Sequence, residues 1–277
     1  MAKVLTDEQI AQFHDHGWLS PFSVFSGEQI GFYQRKLIEW ETRNGGPIAG
    51  QLRNKSHLFL TWLDALARHP AVLDVIEDVI GPNIWLWHAQ FFVKESNTDH
   101  FVSFHQDSAY WDIDPSLGVS AWIAFSDSDQ SSGCMRVIPD THLDVLPHEE
   151  RKGPRNLLWR GQTASLGDVR GQAVDMPLKA GQMSLHHARI VHGSGPNQAG
   201  YRRIGYSVRY FPTHIKRLGP RDSALLVRGV DEFDTFDQES APVRDFDPEA
   251  MAFHAKATER YMEQYTSAPV EFSRLAG

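Results

Sequence analysis

Cysteine is almost absent: Cys134 stands alone among 277 residues. The chain therefore has no internal disulfide and no cysteine-rich zinc cluster, which fits a reducing compartment. No apolar run approaches the roughly 18 residues of a membrane span. The opening stretch, Met1 to Glu8, has no apolar segment of the kind a secretory signal needs. Long basic runs are missing as well. Lys and Arg number 27 against 35 Asp and Glu, a formal charge of −8, which argues against nucleic acid as a partner. No repeat or low-complexity tract is visible. These absences point to a cytoplasmic protein with neither nucleic acid nor membrane as a partner; they leave the oligomeric state open.

What is present is an ordinary globular composition, 41% hydrophobic and 22% charged. The length suffices for one large domain or two small ones, and no linker forces two. The expected organisation is a single domain, 1–277, in three parts: mostly helical support over 1–82, a β-rich core over 83–212 and a C-terminal extension over 213–277.

Thr6-Asp7-Glu8-Gln9 reads as a capping box opening a short helix that turns Ile10, Phe13 and Trp18 inward and ends at Gly17. Ser26 to Gln29 repeats the signal, and the helix that follows has Ile30, Phe32, Leu37 and Trp40 as its apolar positions. Ser56 to Leu63 is expected to be helical. His69-Pro70 starts another helix, closed by Gly81-Pro82. The character changes at Ile84, where Ile84 to Lys94 is rich in β-formers. Further strands are expected at Val119–Phe125, Met135–Ile138, Ala173–Met176, Gln182–Leu185, Arg189–His192 and Ile204–Phe211. Short strands after a run of helices suggest a β-sandwich or barrel backed by helices. The polar stretch from Leu143 to Gln172 is long enough to be a lid or substrate loop. A final helix is expected from Pro248 to about Tyr265.

The chemistry concentrates in Phe104-His105-Gln106-Asp107. In an extended segment residues i and i+2 project to the same side, so one imidazole and one carboxylate can reach a single metal ion. Two His and one carboxylate on one face of an ion leave the opposite positions open, which suits a non-heme Fe(II) oxygenase. With 14 His in the chain, about one His-x-Asp arises from composition alone. His142-Leu143-Asp144 is a second, and His148-Glu149-Glu150 a third if Glu is admitted. The further signal is Ile190-Val191-His192-Gly193-Ser194-Gly195-Pro196-Asn197, where an apolar strand delivers His192 to a glycine-rich turn. Arg203 lies eleven residues on, and an antiparallel hairpin would bring it back toward His192.

Together these pieces resemble the phytanoyl-CoA dioxygenase-like (PhyH) family of Fe(II)/2-oxoglutarate-dependent oxygenases. The resemblance rests on Phe104-His105-Gln106-Asp107, Trp122-Ile123-Ala124, Gly133 to Pro139 followed by His142, His192 to Asn197, and Arg202-Arg203. It spans about Ile84 to Phe211, and Pro139-Asp140-Thr141-His142 departs from the family's Pro-Gly-Ser-His turn. It implies a mainly β protein with flanking helices, built on a double-stranded β-helix, the cupin-like jelly roll. It implies Fe(II) held by His105, Asp107 and His192, with 2-oxoglutarate and O2 as cosubstrates. Arg203 would bind the distal carboxylate of 2-oxoglutarate, a task suited to its rigid, permanently charged fork, with Ser194, Trp122, His88 and Gln90 as further contacts. Halogenating relatives replace the metal-binding carboxylate by a small residue; Asp107 is retained, which favours oxygenation. The implied reaction is hydroxylation of a small metabolite coupled to decarboxylation of 2-oxoglutarate to succinate.

Each residue also has a plainer reading. His105 and Asp107 make an ordinary surface turn, His192 a capped strand end, and Arg203 a surface ion pair, with Arg202 and Arg209 as rivals. His186 and His187 neighbour the site but are not expected to ligate. Tyr110 and Trp111 follow the metal pair and would wall a pocket. Arg53, Lys55, Asn156 and Arg160 lie in segments able to fold over its mouth, where they would suit a polar, anionic small molecule. Two other functions are compatible with the same residues: a non-catalytic metal- or ligand-binding jelly roll, and a zinc-dependent hydrolase.

Overall fold

The computed structural model describes residues 2–114, 117–167 and 173–266. Helix α1 (Asp7–His16) opens on the Thr6–Gln9 capping box and stops at Gly17, whose φ of 80° ends it in the left-handed region. A short strand, β1 (Trp18–Ser23), follows and carries Trp18; it was not expected in the helical part. Helix α2 (Gly27–Asn44) has the Ser26–Gln29 box and buries Ile30, Tyr33, Leu37 and Trp40. Phe32 faces outward, 45% exposed, because it lies two residues from Ile30 and falls off the 3.6-residue stripe. The expected helix at 56–63 is broken. Ser56–Leu58 forms one 3-10 turn, Leu60 is extended, and α3 (Thr61–Ala67) starts afresh with the Thr61 N–H donating to Asp245. Helix α4 (Pro70–Ile80) has Pro at its first turn and ends at Gly81.

The remaining strands are β2 (Ile84–Lys94), β3 (Val102–His105), β4 (Val119–Ala124), β5 (Met135–Ile138), β6 (His148–Glu150), β7 (Gln162–Ala164), β8 (Val174–Met176), β9 (Gln182–His187), β10 (Val191–Ser194), β11 (Arg203–Pro212), β12 (Ser223–Arg228) and β13 (Asp237–Gln238). They build a seven-stranded sheet, β1-β9-β4-β11-β2-β12-β13, and a four-stranded sheet, β3-β10-β5-β8. This is the jelly roll. Strands β10 and β11 belong to different sheets, so the expected hairpin between His192 and Arg203 does not form; the two residues meet across the interior instead. The stretch 143–167 contains the β6–β7 hairpin, and 168–172 of the expected loop lies outside the described residues. Helix α5 (Pro248–Thr266) closes the described chain.

One face of the large sheet is apolar and packs on the helices. Ala89, Phe91, Ile123, Met183, Leu185, Tyr206 and Val208 join Leu63, Leu66, Val72 and Ile76 in the largest core cluster. The opposite face is polar and looks into the barrel. Period-2 alternation places Ser120 and Trp122 on β4, Ser184 and His186 on β9, and Arg203, Gly205, Ser207 and Arg209 on β11 in that interior. Strand β2 joins them through an irregularity. Arg209 pairs with His88 but Tyr210 pairs with Leu86, leaving Trp87 as the extra residue. Such a bulge flips the alternation, turning His88, Gln90, Phe92 and Lys94 inward while Ala89 and Phe91 face the helices.

Candidate active site

His105 closes β3 directly opposite His192 on β10, and their rings lie 4.3 Å apart. Asp107 follows on a 3-10 turn, with Oδ1 3.3 Å from His105 Nε2. One ligand atom from each of the three residues falls within 4.8 Å of the others, and all three residues are buried. Gln106 points the other way and donates to the carbonyls of Thr141 and Asp144 at 3.1 and 2.7 Å and to that of Arg189, so the loop behind the motif fixes it. Each imidazole is oriented by the backbone: His105 Nδ1 lies 2.9 Å from the Ser103 carbonyl, and His192 Nδ1 lies 3.1 Å from that of Ile190. A carbonyl only accepts, so Nδ1 carries the proton and Nε2 offers its lone pair to the site, the tautomer a metal ligand needs.

The electrostatics agree with this donor set. Burial pushes the Asp107 carboxyl upward. The Arg209 guanidinium, with Nε 3.6 Å from Oδ2, outweighs it with help from His105 and His186 and holds the group well below the usual carboxylate range. Ser120 Oγ donates to the same oxygen at 3.3 Å. Burial, then the neighbouring His105 and His186, keep the His192 imidazole well below its ordinary value, hence neutral. A carboxylate and neutral imidazoles are the forms that ligate. His186 touches the site through its Nε2, 3.9 Å from Asp107 Oδ2, but does not belong to the three-residue donor cluster.

Beside the triad is an inner pocket bordered by Phe92, Trp122, Met135, Ser194, Arg203 and Ser207. Arg203 is 2% exposed. It donates to the Gly133 carbonyl at 3.2 Å and stacks on the Trp122 ring at 5.2 Å, while its Nε is buried without a partner among the described residues. Gly205 makes room for that ring: a Cβ there would lie 1.8 Å from Trp122 Cζ2. Next to Arg203 the structure buries a second cation, which the sequence did not single out. Lys94 donates to Ser194 Oγ at 2.7 Å and to the carbonyls of Gly133 and Gly195. Burial, then Arg203, lower its pKa to about 6. Neither cation meets a carboxylate among the described residues. Two buried basic side chains without a carboxylate partner would gain from an anion placed between them, which would also favour the charged form of Lys94.

The other expected residues divide. Ser194 and Trp122 border the inner pocket. His88 does not: it is fully buried, accepts from Arg209 Nη1 at 2.9 Å and stacks on Tyr261 at 4.3 Å, so it positions the arginine that faces Asp107. Gln90 lines a larger outer cavity of about 500 Å³, with Arg53, Asn156, Tyr110, Trp111, Trp159 and Arg209. His105 and Asp107 border both cavities. Arg160 is absent from this lining; it pairs with Glu150 and stacks over Tyr110 at 4.9 Å. Lys55 is not at the mouth either. It is fully buried and bonded to Glu239 at 2.5 Å. Arg202 is engaged by Glu41 and Glu95 at the surface. The sequence signal that would have found Lys94 and Arg209 was the alternation itself, since they fall in phase with Gln90 and with Arg203.

The phytanoyl-CoA dioxygenase (PhyH) family model matches residues 27–205. Peroxisomal phytanoyl-CoA dioxygenase of Bos taurus is 31% identical over 142 residues, covering 48% of this chain and 42% of the bovine protein; the chain thus spans well under two thirds of that relative. A probable alpha-ketoglutarate-dependent hypophosphite dioxygenase of Stutzerimonas stutzeri is 24% identical over 225 residues, covering 72% of this chain and 78% of that one. Among solved structures, the non-heme monooxygenase ThoJ in its apo form superposes with a TM-score of 0.82 at 28% identity, covering 93% of this chain and 97% of that chain. On a match that takes in well over half of its length, the chain belongs to the phytanoyl-CoA dioxygenase family.

Proposed function

We propose that this protein is an Fe(II)/2-oxoglutarate-dependent oxygenase that hydroxylates a small molecule, with His105, Asp107 and His192 as the metal ligands. Two imidazoles and one carboxylate from one side are the donor set for such an ion. The observation that carries the reading is the uncompensated pair Lys94 and Arg203 beside the triad. A metal sensor or a zinc hydrolase has no need of two buried cations there; a diacid cosubstrate does. Arg203, Lys94 and Ser194 would hold its distal carboxylate, and Trp122 keeps the Arg203 guanidinium in place by stacking. Fe(II), when bound, supplies the O2-dependent oxidation that couples decarboxylation of 2-oxoglutarate to succinate and CO2 with hydroxylation of substrate.

The chain's own residues set the conditions. The backbone carbonyls of Ser103 and Ile190 keep both imidazoles in the ligating tautomer. Arg209 and Ser120 hold the Asp107 carboxylate ionised and fix one of its oxygens, leaving the other directed toward His105. Phe92 and Trp122 wall the inner pocket with apolar surface and exclude water. Substrate enters through the 500 Å³ cavity, whose size suits a metabolite. The test is release of succinate from 2-oxoglutarate by the purified protein. It should require both Fe(II) and O2, and His105→Ala should abolish it. Activity supported by Zn(II) without oxygen would establish the hydrolase instead, and metal uptake without any decarboxylation would establish a binding protein.

A further inference from the structure

The outer cavity is cationic in an acidic protein. Of the 35 Asp and Glu in the chain, Asp107 alone lines it among the described residues, and that carboxylate is turned to the triad and to Arg209. Arg53, by contrast, borders the cavity from the 3-10 turn Gly50–Arg53. It is half-buried, its backbone is taken up by that turn, and its guanidinium has no hydrogen bond or ion pair among the described residues. Its charge reaches inward: burial and then Arg209 hold the His88 imidazole well below its ordinary value, with Lys55, His57 and Arg53 adding smaller parts. Around it the walls are aromatic and amide: Trp111, Trp159 and Tyr261 supply flat apolar surface, and Gln90 and Asn156 supply polar groups.

We infer that Arg53 is a specificity-determining residue and that the substrate carries a carboxylate on a compact apolar body. A half-buried guanidinium without a partner loses hydration and gains nothing until an oxyanion binds it; a carboxylate fits its two-pronged donor face. A cationic substrate would meet Arg53 and Arg209, and the one carboxylate of the lining, Asp107, already faces Arg209 and the triad. The aromatic walls take the apolar body, which lies against His105 and Asp107 where the cavity meets the triad. What is done to the substrate rests on the oxygenase reading; what the substrate is rests on the cavity.

Binding to the metal-free full chain keeps the two apart. Calorimetric titrations would use 3-phenylpropionate, 3-phenylpropanamide and 3-phenylpropylamine as probes of one shape and three charges. The carboxylate should bind about tenfold or more tightly than the amide, as expected for a charge-assisted contact, and the amine least. Arg53→Gln should erase the preference for the carboxylate while leaving amide affinity, melting temperature and 2-oxoglutarate affinity unchanged, and Arg53→Lys should restore part of it. Absence of any preference in the unmodified protein, or a preference that survives in Arg53→Gln, overturns the inference. A preference that depends on Arg53 in a protein that fails to release succinate would sink the oxygenase reading and leave this one standing.

Discussion

Lys94 should make the binding of 2-oxoglutarate consume a proton. Its side chain is fully buried, and burial together with Arg203 takes its pKa from 10.5 to about 6. At pH 7.5 the empty pocket therefore holds a largely neutral amine. A diacid carboxylate placed against it favours the charged form and raises the pKa in the complex. The sign follows from that rise. Below about pH 6 Lys94 is charged with or without cosubstrate and contributes no pH dependence. Above about pH 6 affinity should fall by up to about tenfold per pH unit, until the pKa of the complex is reached. At pH 7.5 the uptake should approach one proton per diacid. Calorimetric titration of 2-oxoglutarate in buffers of different ionisation enthalpy measures this directly, as the slope of observed enthalpy on buffer enthalpy. The protein should be saturated beforehand with Mn(II), so that protons displaced from the ligating histidines are already gone. Lys94→Met should flatten the slope. At pH 6, where the lysine is half charged, it should weaken binding by about 10–100-fold, the equivalent of one hydrogen bond to a charged group. A zero slope in the unmodified protein, or an equal slope in Lys94→Met, would refute the reasoning.

Gly205→Ala should disturb the cosubstrate pocket without touching a polar group. The new methyl would sit 1.8 Å from Trp122, so the ring must leave the face on which Arg203 stacks. We expect weaker 2-oxoglutarate binding by calorimetry and a loss of stability of about 1–3 kcal/mol from overpacking; unchanged affinity would show that the stack does not matter. Glu239→Ala should be severe for a different reason. It leaves the fully buried Lys55 ammonium with only the Ser223 carbonyl as an acceptor among the described residues, a loss of about 3–5 kcal/mol. Thermal unfolding should shift down by about 10 °C, and a shift of only a degree or two would mean that Lys55 finds water or another acceptor.

How much of this was legible in the chain depended on distance along it. Local devices were: the Thr6 and Ser26 capping boxes, Pro70 at a helix start, and the i, i+2 pairing of His105 and Asp107 all require only a few neighbouring residues. The spacing of Ile30, Tyr33, Leu37 and Trp40 was also in the sequence, where Tyr33 and not Phe32 keeps the helical period. Long-range pairing was not legible. His192 and Arg203 are eleven residues apart, which suggests a hairpin, yet β10 pairs with β3 and β5, and β11 with β2 and β4. Strand β1 was missed because what makes it a strand is β9, more than 150 residues later.

Lys94 shows why the anion pocket was the hardest part to read. A lysine ending an apolar strand looks like the point where the chain returns to water. Here two distant facts reverse that: the extra residue at Trp87 turns position 94 inward, and the Gly133 and Gly195 carbonyls close over its ammonium. Neither is local to Lys94. Yet once β11 is placed beside β2, the alternation that carries Arg203, Gly205, Ser207 and Arg209 inward sets Arg203 directly opposite Lys94 in the register. Two basic groups at one rung of a sheet cannot both stay charged cheaply in the empty protein, which is why burial and Arg203 lower the Lys94 pKa to about 6; a bound anion reverses that by favouring the charged form. The position that looked least informative in the strand is therefore the one at which the fold most plainly makes room for a bound anion.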